Sequence, residues 1–260
     1  AGSYYALETI DADVVLKHVG MDETNPYERD CGTLASSKLK DFGEYTYTSG
    51  SENCPVCGKL TLVYYQEGLS IDETKPGDAK INDTIQQNIE NDTQVKLEEF
   101  KDEECDFHND PFASEMCCNS FSSDVTVSYQ SDDYVGLLYD VYEYYRGAAH
   151  GLPGRYFTLY DRNTGEELFL DDILATSGEE LNAILVQKFQ EYEYADDLSM
   201  DYIQENAGFY TGHELQAGGF YLNEKGLVYF FGAYEVAGYA AGMPSVEIPY
   251  EDLEWKIDLY

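Results

Sequence analysis

The sequence predicts an α+β protein of two mixed modules, each a mostly antiparallel sheet packed by one main helix. Two observations carry that expectation. Segments of alternating polar and β-branched or tyrosyl residues recur along the chain, and two stretches with helical periodicity interrupt them without the regular alternation of a parallel βαβ fold. The 260 residues are 43% hydrophobic and 15% aromatic, with 25 tyrosines, enough for real cores and a composition that suits half-buried strands.

Taken in order, residues 4–19 read as extended, and residues 20–57 as loop, rich in Gly, Ser, Asn and Pro. A strand is expected from Lys59 to Gln66, then a turn at Lys75-Pro76-Gly77-Asp78. From Asp78 a helix is expected to run to about Glu104, because Ile81, Ile85 and Ile89 recur every four residues among polar neighbours. Residues 105–123 hold three cysteines and Pro111 and read as an irregular stapled loop. Strand patterns follow at 124–131, 134–146 and 155–161, and Asn163-Thr164-Gly165 turns into a short strand from Glu167 to Leu170. A second helix is expected over 178–194, with Leu181, Ile184, Leu185, Phe189 and Tyr192 on one face and Ser177 with Glu180 as a capping box. After a Gly-rich connection, strands near 219–223, 227–234 and 246–250 complete the pattern. The strand–helix–strands order occurs twice, which suggests modules at 1–122 and 123–260.

Fifty-one acidic residues against fifteen basic ones give a formal charge of −36. Such a field repels nucleic acid and anionic lipid and attracts basic proteins or cations. No apolar run is long enough to span a membrane. The chain also opens without a charged and apolar leader, so an export signal or lipid anchor would lie outside it.

Cys31, Cys54, Cys57, Cys105, Cys117 and Cys118 are even in number and belong to no nucleophile motif, which suggests disulfides and an oxidising compartment. If all six pair, at least one bridge joins the first three to the last three. The competing reading is zinc at Cys31, Cys54 and Cys57, since Cys54-Pro-Val-Cys57-Gly58 has the spacing of a zinc knuckle but lacks an evident fourth ligand. No cofactor is implied. Motifs for serine hydrolases, zinc peptidases, P-loops and dinucleotide binding are absent, and none of the four histidines stands at metal-ligand spacing from another. The expectation is a binding protein rather than an enzyme.

Two segments mix aromatics with small residues. The first is Tyr144 to Gly151, where Tyr145, Arg146, Gly147, His150 and Gly151 are candidate binding residues. The bland alternative is a tight crossing with His150 hydrogen-bonded inside. The second runs from Tyr234 to Pro244 and offers Tyr234, Tyr239, Gly242 and Pro244. Asp161 to Glu166 looks like the start of a calcium loop, but its Gly comes one place early, and a hairpin turn explains it better.

Tyr145 to Gly151, Asn163 to Ile173, Gly226 to Gly242 and Val246 to Leu253 together resemble the RsiV-type extracytoplasmic domain. Lys59 to Asp72 and the helix that follows look like the module preceding it in RsiV and in PdaC-type peptidoglycan deacetylases. Ala148 stands where the motif has its second Gly, and Gly238 where the family often has Pro. The resemblance implies a bacterial envelope domain, extracytoplasmic and either secreted, periplasmic or lipid-anchored. It also implies a sensor or binding part without its enzyme, with lysozyme or another cationic protein, or a cell-wall glycan, as partner; a wall-modifying hydrolase or deacetylase centred on His150 is the lesser alternative.

Overall fold

The computed structural model describes residues 43–53, 60–103, 119–146 and 148–259. All six cysteines, Gly147 and the extended segment 4–19 lie outside the described residues. So does any test of the disulfide or zinc expectation.

The strands and helices make an α+β fold with mostly antiparallel sheets, as expected. One sheet has six strands in the order β1 (Gly43–Asn53), β2 (Leu60–Ile71), β3 (Asn119–Gln130), β4 (Tyr134–Tyr144), β5 (Leu152–Asp161) and β6 (Glu167–Leu168). A second sheet places β10 (Gly226–Phe230) between β9 (Gly219–Leu222) and β11 (Ser245–Pro249), antiparallel to both. A small hairpin pairs β7 (Tyr210–Thr211) with β8 (Glu214–Leu215). The helices are α1 (Asp78–Glu103), α2 (Leu170–Ile173), α3 (Gly178–Gln190) and α4 (Met200–Asn206).

Several boundaries differ from the sequence expectation. Residues 43–53 form a strand, not a loop. Its described side chains, from Glu44 to Ser51, are half-buried or exposed, so the Gly and Ser content reflects an edge strand rather than a turn. Strand β3 begins at Asn119, inside the stretch read as irregular, with Asn119, Phe121, Ser123 and Val125 buried in alternation. The strand expected over Glu167 to Leu170 stops at Leu168, because Leu170 opens α2 and the Asp172 carboxylate accepts the Phe169 N–H at 2.9 Å. Helix α3 ends at Gln190 in tighter turns, Glu191 N–H reaching both Gln187 and Lys188 carbonyls. Helix α4 and the β7–β8 hairpin fill what read as a Gly-rich connection.

The described residues fall into two compact units that interleave along the sequence. The first comprises 1–70, 86–122 and 143–151. There Leu62 and Phe121 are buried, with Tyr64 stacked on Phe121 at 5.3 Å and Leu97 and Tyr145 packed alongside. Ile89 lies over Gly68, where a Cβ would sit 2.6 Å from the isoleucine δ-methyl, so a larger residue there would require the Ile89 and Thr46 side chains to shift. Thr93 Oγ1 donates to the Ile89 carbonyl and is hydrogen-bonded to Gln66, so the polar side chains at this buried spot are mutually satisfied.

The second unit comprises 71–85, 123–142 and 152–260 and holds the larger core. Leu181, Leu185 and Phe189 of α3 meet Ile203 of α4 and Leu222, Leu227, Tyr229 and Ile248 of the three-stranded sheet. Ser177 and Glu180 form the expected capping box, Ser177 N–H to Glu180 Oε2 at 3.1 Å and Glu180 N–H to Ser177 Oγ at 3.3 Å. Tyr229 is buried, donates to the Ala217 carbonyl and accepts from Gly208 N–H at 3.1 Å. Burial pushes its hydroxyl up to about 12.

The start of α1 is locked within this unit. Asp78 and Arg162 are both buried and paired, Nε–Oδ1 at 3.0 Å and Nη2–Oδ2 at 2.7 Å. Asp78 Oδ2 also accepts the N–H groups of Thr74 and Lys75. Burial raises the Asp78 carboxyl, but these hydrogen bonds and the guanidinium charge outweigh it and hold the group below the ordinary carboxylate value. The Asp161 side chain accepts Asn163 and Thr164 N–H groups, so 161–166 is the hairpin turn rather than a cation loop. At the chain end, Trp255 donates to the Tyr250 carbonyl at 2.9 Å, and Tyr129 donates to that of Leu259.

Candidate functional site

Residues 144–151 belong to the first unit and are largely tied to their own surroundings. Tyr145 donates to Glu99 Oε1 at 2.6 Å and lies 3.3 Å from Glu143 Oε2, and Lys96 Nζ bridges the same two carboxylates at 2.8 and 2.7 Å. Burial, then the adjacent carboxylates, raise the Tyr145 hydroxyl, so it stays a neutral donor. Arg146 N–H donates to the buried Asn119 side chain at 2.7 Å, and Ala148 N–H to the Tyr145 carbonyl at 2.9 Å. Gly151 is buried. His150 is exposed, its Nδ1 lying 3.0 Å from the Gly151 carbonyl, rather than hydrogen-bonded inside. This turn is a scaffold joining β4 to β5, with His150 on its outer side.

The segment Tyr234 to Pro244 belongs to the second unit and has another character. Phe231 N–H bonds to the Pro244 carbonyl at 2.9 Å, which extends the β10–β11 ladder by one rung and closes residues 232–243 into a loop. This is why β10 ends at Phe230 and not at Tyr234. Glu235 clamps the loop from within, accepting Gly218 N–H at 2.7 Å and Gly232 N–H at 2.8 Å. Val236 is buried and its carbonyl takes the Ser199 N–H at 2.7 Å.

Held this way, Tyr234 adopts φ 70°, the one non-glycine residue with positive φ among the described residues. A tyrosine in this region costs about 1–2 kcal/mol, and such strain collects where a side chain must be presented. The residue is 55% exposed, and its ring lies 5.5 Å from that of Tyr239. Gly242 follows at φ 67°, and Pro244 is buried as the closing residue. Of the four residues singled out here, the two tyrosines present chemistry and Gly242 and Pro244 shape the loop.

The Ser199–Val236 bond also brings the segment after α3 against this loop, and Phe189 supports both, 5.2 Å from Phe231 and 6.3 Å from Tyr192. That segment exposes Tyr194, 56% accessible, with Glu191, Glu193, Asp196, Asp197 and Asp201. From residue 189 to residue 255 the only lysine or arginine is Lys225. Tyr194 was missed from sequence because its neighbours read as the end of a helix. The uninterrupted acidic run was the signal that could have found it.

A third group lies elsewhere in the second unit. Asp171, Asp172 and His213 place one donor atom each within 4.8 Å of one another, the one such group of three among the described residues. His213 Nδ1 is 2.8 Å from Asp171 Oδ1, which raises the imidazole above its ordinary value, and the ring stacks on Phe169 at 4.1 Å. The residues are some forty apart in sequence, so no local motif announced them.

The class this defines is an α+β domain whose three-stranded sheet carries a closed, tyrosine-bearing loop beside an acidic segment. Residues 166–251, which include that loop and the Asp171 group, match the family model described as "Protein of unknown function (DUF3298)". Among solved structures, a DUF3298 family protein from Pseudomonas aeruginosa PAO1 is similar at 21% identity and TM-score 0.54, over 82% of this chain and 93% of that one. A member of the same family from Bacteroides fragilis NCTC 9343 is similar at 17% identity and TM-score 0.50, with the same two coverages. These likenesses show the fold. No curated protein matches the chain. Among the described residues no helix is long and apolar enough to cross a membrane.

Proposed function

We propose that this chain is a non-catalytic, RsiV-like binding or sensor domain of the bacterial envelope, extracytoplasmic, that recognises a cationic protein of the lysozyme kind. The observation that supports it best is the surface formed by residues 191–201 and 232–242. Exposed Tyr194 stands there among five exposed carboxylates and exposed Tyr234 on the adjoining loop, with no basic side chain in either segment. Tyrosines anchor protein interfaces, and a one-signed field speeds encounter with a partner of opposite charge. The matched family stretch, 166–251, spans both segments.

Hen lysozyme and a cationic bacterial wall hydrolase are suitable probes in surface-binding kinetics at about 50 and about 500 mM NaCl. The expected result is an association rate at least ~10-fold lower at high salt. Tyr234→Ala and Tyr194→Ala are each expected to weaken affinity ~10-fold or more. Absence of binding to either probe, or affinity indifferent to salt, would sink the proposal.

The tyrosine pair of exposed Tyr234 and half-buried Tyr239 also favours a second reading, stacking on a wall glycan. Co-sedimentation with purified peptidoglycan that is lost in Tyr239→Ala supports that reading, and failure to co-sediment removes it.

A further inference from the structure

We propose that Asp171, Asp172 and His213 bind a divalent transition-metal ion of the zinc type, a site separate from the binding surface above. Three observations converge on it. The donors are chemically mixed, one imidazole and two carboxylates, and their atoms already lie within 4.8 Å of one another. Donor atoms around one tetrahedral zinc ion stand about 3.4 Å apart, so rotation of these half-exposed and exposed side chains brings all three onto one ion.

The donors also come from two elements rather than one acidic run. Asp171 and Asp172 are in α2, whereas His213 is in the β7–β8 turn, directed there by Gly212 at φ 59°. Finally, two of the three are oriented by groups outside the cluster. Phe169 lies against the His213 ring at 4.1 Å and its N–H fixes Asp172, while the Asp171 carboxylate lies 2.8 Å from His213 Nδ1, a hydrogen bond that the ion would replace. Preoriented ligands of this kind are what a metal site requires of its surroundings.

The donor set also selects the ion. Imidazole suits zinc, nickel and cobalt, whereas calcium takes an all-oxygen shell of six or more donors. Three protein donors leave at least one coordination position for water or for a donor from a partner. The bound ion would tie the β7–β8 hairpin to α2.

Calorimetric titration of the metal-stripped full chain with Zn2+ at about pH 8 tests this. Free thiols are first blocked, so that the cysteines cannot supply the ligands. The expected result is one saturable site, weakened at least ~10-fold in both His213→Ala and Asp172→Asn, with unchanged circular dichroism and no comparable site for Ca2+. In wild type, Zn2+ is also expected to shift the His213 ring resonances. No saturation below about 1 mM, or an unchanged isotherm in His213→Ala, overturns the proposal. Calcium binding as tight as zinc overturns it as well.

Discussion

Asp78 shows how much one buried carboxylate carries. It holds Arg162 through two hydrogen bonds, and two backbone N–H groups before α1 besides. Removing one partner strands a buried charge, so Arg162→Met is expected to lower unfolding stability by about 3–5 kcal/mol in urea titrations. Because the folded value of Asp78 lies below its unfolded value, its contribution is complete above about pH 4. That contribution fades as pH falls through the folded value. Asp78→Asn is expected to flatten the acid limb of the stability–pH curve, and an unchanged limb would remove this account. Tyr234 presents the opposite case, a residue whose backbone is strained. Asn tolerates positive φ better, so Tyr234→Asn is expected to raise the thermal midpoint while weakening partner binding, a gain of up to about 1 kcal/mol.

Among elements, α3 was the most legible. Its apolar period and the Ser177–Glu180 box named the start and the buried face, and Leu181, Leu185 and Phe189 are buried as that period requires. Ser177→Ala is expected to cost about 1 kcal/mol in chemical denaturation. Helix α1 was equally plain from Ile81, Ile85 and Ile89, all buried. Ile85→Ala is expected to cost about 2–5 kcal/mol. Other elements were hidden for physical reasons. Strand β1 has no apolar alternation because it forms an edge of its sheet, and α4 is too short for a period, burying only Ile203 completely. The candidate loop was visible in its residues, Tyr234 to Pro244, but not in its partner segment. Contact between 199 and 236 depends on how α3 meets the three-stranded sheet, which no local spacing encodes. Tyr145 stood out for the same aromatic reason and turned out to be bound to Glu99, since a ring beside small residues can be a strut as readily as a contact.

At the scale of the whole molecule the charge of −36 acts on folding as well as on partners. Like charges repel across a compact surface, and salt screens them. The thermal midpoint is therefore expected to rise between about 20 and about 500 mM NaCl, and a fall would show that specific ion pairs such as Lys80–Glu166 dominate instead. The chain end offers a way to watch this happen. Trp255 is the only tryptophan among 25 tyrosines, and it rests against Tyr250 at 5.5 Å in the segment whose backbone is tied to residues 173–176. The segment around residues 250–259 thus carries a single optical reporter. Tyrosine-sensitised emission from this indole, followed during denaturation, reads detachment of the terminal segment separately from collapse of the sheets, without a label.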